Sequence, residues 1–358
     1  MHSPGTPLLI EEIELPDPGI GQVRVRLLAT GVCHSDLSLA RGVLAQATPA
    51  VLGHEGCGRV VEVGDGVTRL RAGDAVLLNW APACRGCWWC AHGEPFLCAR
   101  AQEAGTVAYA RLLDGTPVFP GLGVAAFASQ TVVAESACIK IPDDLHVEEA
   151  ALLGCAVLTG VGAVVHAANV QPGESVAVIG LGGVGLCAVQ GARIAGADPI
   201  IAVDGSGAKR DLARHMGATE VLEPAPDLAR RIRALTEGRG VVHAIECVGH
   251  ADTIRTAWSV TRRGGQATIV GLGSKSETLA LNALEVAHFA RTLRGSMYGN
   301  SDPAVDIPIL VDHVRNRRLD LAALVTSRIT IDGVEQAFAN MAAGLGARSL
   351  IVFGENGS

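Results

Sequence analysis

Along the first eighty residues, short aliphatic runs alternate with glycine and proline turns: Leu8–Ile10, Val23–Leu28, Val60–Val63 and Ala75–Leu78. Apolar runs bounded by turn formers predict strands, and their uneven spacing predicts an irregular β-rich region. From about residue 155 the rhythm changes. Ser175–Ile179 reads as a strand, aliphatic after its first residue, Gly180–Ala195 is helical in character, Ile200–Val203 is apolar again, and Ala208–Met216 is again helical. Strands that are hydrophobic throughout, separated by helices, predict βαβ units on a parallel sheet. The alternation continues through Val241–Ile245, a helix near Asp252–Val260, Ala267–Val270 and a strand around Thr292–Ser296, then breaks beyond Tyr298. The tail predicts helices near Ala304–Arg315 and Gly333–Met341 and a last strand Ser349–Phe353.

These changes of rhythm divide the chain into 1–156 together with 298–358, and 157–297. Two domains suit its 358 residues, because single cores stop growing near about 250–300 residues. Apolar residues make up 49% but aromatics only 3%, so the interior must be packed from Ala, Val, Leu and Ile. A net charge of −7 argues against a nucleic-acid partner, which would require a basic face, and favours a small solute. The start, Met1-His-Ser-Pro-Gly-Thr-Pro, has no basic segment leading into an apolar one. No stretch approaches the ~18–20 apolar residues of a membrane span, so no membrane association and a cytoplasmic location are expected.

Composition alone does not separate the ten cysteines, but position does: Cys84, Cys87, Cys90 and Cys98 lie within fifteen residues, spaced C-x2-C-x2-C-x7-C. Four thiolates in one short lobe can close a tetrahedron at about 2.3 Å each, the form of a structural zinc site. Iron–sulfur runs use other spacings and often place a proline after the last ligand, whereas Ala99 follows Cys98.

Gly180-Leu-Gly182-Gly183-Val184-Gly185 follows an aliphatic strand and opens a helix, the context that turns a weak G-x-G-x-x-G match into a dinucleotide fingerprint. Its glycines allow a tight turn and close approach to a pyrophosphate on the helix N-terminus. Asp204 follows the second strand, where a carboxylate binds the adenosine ribose hydroxyls and repels a 2′-phosphate. This favours NAD over NADP, with Lys209 and Arg210 nearby as the opposing signal.

Three further metal-ligand types are dispersed: Cys33 in Gly-Val-Cys-His-Ser-Asp, His54 in Gly-His-Glu-Gly and Cys155 in Leu-Gly-Cys-Ala. Taken singly, the cysteines read as small buried hydrophobes and His54 as a core histidine. Together with the cysteine lobe, the glycine fingerprint and the ending Arg348-Ser-Leu-Ile, however, they resemble the zinc-containing medium-chain alcohol dehydrogenase family over nearly the whole chain. Within it, Leu78-Asn-Trp80, Leu112-Leu-Asp-Gly-Thr and Leu152-Leu-Gly-Cys155 look closest to mycothiol-dependent formaldehyde dehydrogenase-like enzymes.

The resemblance implies an α/β protein with an irregular β-rich, GroES-like catalytic domain and a doubly wound parallel-sheet Rossmann domain. It implies two zinc ions per chain, the catalytic one held by Cys33, His54 and Cys155 with an open fourth position. Asp36 would accept the second ring N–H of His54, and Glu55 would approach the metal during ligand exchange. Ser35 would relay the substrate proton. Many relatives have a histidine three residues on, where this chain has Ser38. Trp80 falls in the inner substrate pocket. His34 and Arg348 would contact the pyrophosphate and Lys209 the adenosine ribose, and relatives commonly form homodimers or homotetramers. The implied reaction is hydride transfer between a small alcohol or aldehyde and NAD. The alternatives are oxidation of a formaldehyde–mycothiol adduct or reduction of S-nitrosomycothiol, and a non-catalytic dinucleotide-binding protein.

Overall fold

The structure, a computed structural model, describes residues 1–354. It comprises two compact units: Met1–Cys155 with Asp302–Arg315 and the segment from Val325 onward, and Ala156–Ser301 with Asn316–Leu324.

The first unit is built around a seven-stranded sheet whose longest member is Gln22–Val32. Along this strand Val23, Val25, Leu27 and Ala29 are buried, while Arg24, Arg26 and Leu28 are half-buried. That period of two marks a strand with one face in the core. Its antiparallel neighbours are Glu55–Val63, Gln130–Ala134 and the late strand Arg348–Val352. A smaller four-stranded sheet joins Ile13–Glu14, Ala110–Leu112, Pro117–Pro120 and Ala50–Val51.

The strand expected at Leu8–Ile10 does not form there. Leu8 donates its N–H to the carboxylate of Glu335 at 2.6 Å rather than to a neighbouring strand, Leu9 and Ile10 are 60% and 63% exposed, and pairing begins only at Ile13. An apolar run without a partner edge is not a strand, whatever its propensity.

The second unit is the parallel sheet that the alternating pattern predicts. Its strand order is Glu220–Leu222, Ile200–Val203, Val176–Ile179, Val241–Glu246, Thr261–Ile269, Thr292–Gly295, and every pairing is parallel. Val176–Ile179 and Ile200–Val203 are buried at every position, as strands covered on both faces must be. The helix Gly183–Ile194 packs closely on Ala156–Gly162, for a Cβ on Gly160 would stand 2.4 Å from the Val184 carbonyl oxygen. Among the described residues no single helix is long and apolar enough to cross a membrane.

Candidate metal centres and dinucleotide site

The four-cysteine lobe folds as a compact knuckle. The Sγ atoms of Cys84, Cys87, Cys90 and Cys98 lie within 4.8 Å of one another. Cys87 stands 3.6 Å from Cys90 and 3.9 Å from Cys98. Sulfur ligands of a tetrahedral zinc at about 2.3 Å are separated by roughly 3.8 Å, so the set fits that ion. Backbone N–H groups of Cys90 and Ala99 pull the Cys87 thiol down to about 6, which makes it a thiolate near neutrality. Between the first two cysteines Arg85 adopts a left-handed φ of 62° and pairs through both guanidinium nitrogens with Asp302, which lies just ahead of the helix Pro303–Arg315.

The second candidate centre assembles from three distant segments of the first unit. Cys33 directly follows the long strand and caps the short helix His34–Ala40. His54 lies just before Glu55–Val63, and Cys155 follows the turn Leu152–Gly154. Donor atoms of Cys33, His54, Glu55 and Cys155 lie within 4.8 Å of one another, all buried. His54 Nε2 is buried without a hydrogen-bond partner. Such an atom is costly unless a ligand satisfies it, and two thiols with one imidazole are a recognised donor set for zinc with an open corner.

Asp36 organises this site. Fully buried, it accepts the Cys33 N–H through Oδ2 at 3.1 Å, and the Gly53 N–H and His54 Nδ1 through Oδ1 at 3.0 and 2.9 Å. One carboxylate thus fixes the helix cap, the turn before His54 and the orientation of the ring. Gly53 is required there: its φ is 92°, and a Cβ would stand 2.5 Å from the Phe127 backbone nitrogen. Burial works against the charged form of His54, but the Asp36 carboxylate outweighs it and raises the ring well above the ordinary histidine range.

The Cys33 thiol is held well below the ordinary range, first by a hydrogen bond from Cys155 and then, against burial, by Arg348 and His54. Glu55 is fully buried, and burial pushes its carboxyl up to about 7 against the pull of Arg348. Arg348 stands 3.5 Å from Glu55 and donates to the Val32 carbonyl at 3.0 Å. Gly31 leaves the space that Glu55 occupies, since a Cβ there would lie 2.0 Å from Oε2. Neither the Arg348–Glu55 pair nor the role of Gly31 has a signal in the local sequence. Ser35 Oγ lies 3.9 Å from the Cys33 sulfur, Ser38 is half-buried on the same helix, and His34 is exposed. The Trp80 ring stands edge-on to His54 with centroids 6.2 Å apart.

In the second unit Gly180 has a φ of 88°, and a Cβ on Gly185 would lie 1.8 Å from the Gly180 carbonyl oxygen, so the turn requires both glycines. Gly182 is different, because a Cβ there would meet nothing within 4 Å. Its missing side chain leaves room outside the protein, as a loop that cradles phosphate does. Gly183 and Val184 open the helix with Gly182 as its cap. Asp204 accepts the Leu181 N–H and the Ser206 N–H, each at 2.8 Å, which holds its carboxylate beside the fingerprint. Arg210 donates to the Asp204 and Gly205 carbonyl oxygens, and Lys209 lies half-exposed one residue earlier.

Residues 19–143 match the alcohol dehydrogenase GroES-like domain, and residues 183–314 match the zinc-binding dehydrogenase domain. The chain is 37% identical to S-(hydroxymethyl)glutathione dehydrogenase of Escherichia coli O139:H28, over 98% of this chain and 97% of that protein. It superposes on an alcohol dehydrogenase zinc-binding domain protein from Burkholderia ambifaria with a TM-score of 0.93 at 32% identity, covering 99% and 97% of the two chains. For benzyl alcohol dehydrogenase from Acinetobacter calcoaceticus the TM-score is 0.88 at 28% identity, with 96% and 94% covered. Matched along its whole length and carrying both cysteine-based centres, the chain belongs to the zinc-containing medium-chain alcohol dehydrogenase family of oxidoreductases.

Proposed function

We propose that the chain is an NAD-dependent alcohol dehydrogenase and aldehyde reductase, with a catalytic zinc at Cys33, His54 and Cys155 and a structural zinc at Cys84, Cys87, Cys90 and Cys98. The observation that carries this reading is the unpartnered, buried His54 Nε2, within 4.8 Å of the Cys33 and Cys155 sulfurs. With Cys33, His54 and Cys155 as the ligands and Glu55 paired instead with Arg348 at 3.5 Å, one tetrahedral corner would be left for substrate, whereas the four-cysteine set would leave none. Held by Cys33, His54 and Cys155, zinc would supply Lewis acidity toward a substrate oxygen and the dinucleotide would supply a hydride acceptor.

The chain's own residues orient substrate and cofactor and move the proton. Asp36 fixes the His54 tautomer. Ser35 takes up the proton that the substrate hydroxyl releases and passes it toward solvent, because Ser38 cannot act as a base near neutral pH. Trp80 narrows the space beside His54 and favours a slender or flat alcohol. Asp204 takes the adenosine ribose hydroxyls, with Lys209 alongside, and disfavours a 2′-phosphate.

A thiol-adduct substrate is the second reading, favoured by the 37% identity to S-(hydroxymethyl)glutathione dehydrogenase. We also propose a homodimer or homotetramer formed through Thr292–Gly295, the edge of the parallel sheet, which is exposed at all four positions.

Zinc analysis, sedimentation, and NADH absorbance on aliphatic, benzylic and terpenoid alcohols test this reading. Parallel assays use formaldehyde with and without mycothiol or glutathione, and NADP in place of NAD. The expected result is two zinc ions per chain, turnover of free alcohols, and a preference for NAD of roughly tenfold or more. Turnover only of formaldehyde with thiol would replace this reading with the second. One zinc and no turnover would leave a dinucleotide-binding protein.

A further inference from the structure

Glu246 carries a buried carboxylate that the reaction described above does not use. It is the last residue of the central strand Val241–Glu246, in register with Ile179 and Ile269 at the ends of the two flanking strands, and it is 0% exposed. A buried carboxylate is costly unless its oxygens are paired, and Glu246 Oε2 is buried without a hydrogen-bond partner. Here Oε1 accepts three hydrogen bonds: from Val248 N–H and Gly249 N–H at 2.8 Å each, and from the Thr253 hydroxyl at 2.7 Å. Its main-chain carbonyl accepts two more, from Val270 and Gly271. One residue therefore holds the loop after its own strand, the first turn of the helix Ala251–Val260 and the loop after the neighbouring strand.

Those loops pack closely, Gly180 against the Val248 side chain and Gly271 against the Gly249 backbone. A Cβ on Gly180 would stand 2.4 Å from Val248 Cγ2, and one on Gly271 would stand 2.1 Å from the Gly249 nitrogen. The Val248–Gly249 turn is thus wedged between the first glycine of the fingerprint and the 271–273 loop. All three loops lie at the carboxyl ends of parallel strands, where nucleotides bind in this architecture.

We propose that Glu246 is a positioning residue for the dinucleotide: by fixing the Val248–Gly249 turn against Gly180, its carboxylate sets the width of the crevice that receives the cofactor. The proposal rests on the dinucleotide reading of this unit. Glu246 acts through Val248 and Gly180, so its loss weakens cofactor binding more than it slows turnover.

The test is NADH affinity by fluorescence titration, with NAD KM, kcat, zinc content and Tm, for Glu246→Gln, Glu246→Ala and Thr253→Val. Gln keeps an Oε1 acceptor for all three donors, so its Kd is expected within about twofold of wild type. Glu246→Ala is expected to raise Kd and KM for the cofactor roughly tenfold, with kcat changed less than about threefold and zinc content unchanged. Thr253→Val removes one of the three bonds and is expected to raise Kd about two- to threefold. This variant carries the test if the alanine variant does not fold. A lowered Tm in Glu246→Ala or Thr253→Val with wild-type NADH affinity would make Glu246 a stabilising residue only and overturn the proposal. If the wild-type protein bound no NADH, the dinucleotide reading itself would fall, which separates the two failures.

Discussion

Asp36 is the residue on which the candidate catalytic centre depends most. Both of its oxygens accept from N–H groups, at Cys33, Gly53 and His54. Asparagine cannot replace it, because either orientation of the amide turns an NH2 toward a donor. Asp36→Asn therefore loosens the imidazole and the strand end together. Losing such an outer partner typically weakens metal binding by roughly 10–100-fold. A chelator competition that monitors the more weakly held zinc should record that loss, with the four-cysteine site unaffected. An unchanged competition curve would remove Asp36 from the ligand-orienting role.

Among the elements, the cysteine lobe has the least regular structure and the most to lose. It contains only the short helix Trp88–Ala91 and the turn Pro95–Leu97, and its Trp88 and Trp89 side chains are 60% and 38% exposed. A segment with so little buried apolar surface depends on a cross-link, and here the four thiols supply the only chemistry for one. On the proposed two-zinc reading, Cys87→Ser should leave one zinc ion per chain and lower Tm by roughly 5–10 °C, at about 2–4 °C per kcal/mol for a domain of this size. Limited proteolysis should then cut within 84–107. Because Arg85 pairs with Asp302, disorder in the lobe also frees the start of the helix Pro303–Arg315.

At the scale of the whole molecule, stability against acid depends on carboxylates held by specific partners. Asp74 is buried and accepts from Lys140 Nζ at 2.7 Å and from the Arg71 N–H at 3.0 Å, joining the start of the strand Ala75–Leu78 to the end of its partner Cys138–Lys140. The lysine holds its carboxyl below the usual range. A depressed value in the folded state means that the stabilisation is complete above the unfolded value, about 3.9, and fades as pH falls through the folded one. Asp74→Asn should accordingly be less stable than wild type at pH 6–7. The gap in denaturation midpoint should close on acidification below about pH 4. A gap that widened in acid would contradict the assignment.

Much of this was legible in the chain itself. The parallel sheet could be read because strands buried on both faces are apolar throughout, and the fingerprint because glycine alone tolerates the turn at Gly180 and the contact at Gly185. The cysteine lobe could be read because its donors are neighbours in sequence and metal geometry limits their spacing. What only the tertiary structure decided involves groups far apart along the chain. Cys33, His54 and Cys155 converge because the end of one strand, the start of its neighbour and a later turn meet at one end of a sheet, and the Arg348–Glu55 pair does not exist before that sheet closes. The Leu8–Ile10 run fails as a strand for the same reason in reverse. Local pattern encodes propensity and short-range geometry, whereas the partner that satisfies a buried donor or a free strand edge is chosen by packing at long range.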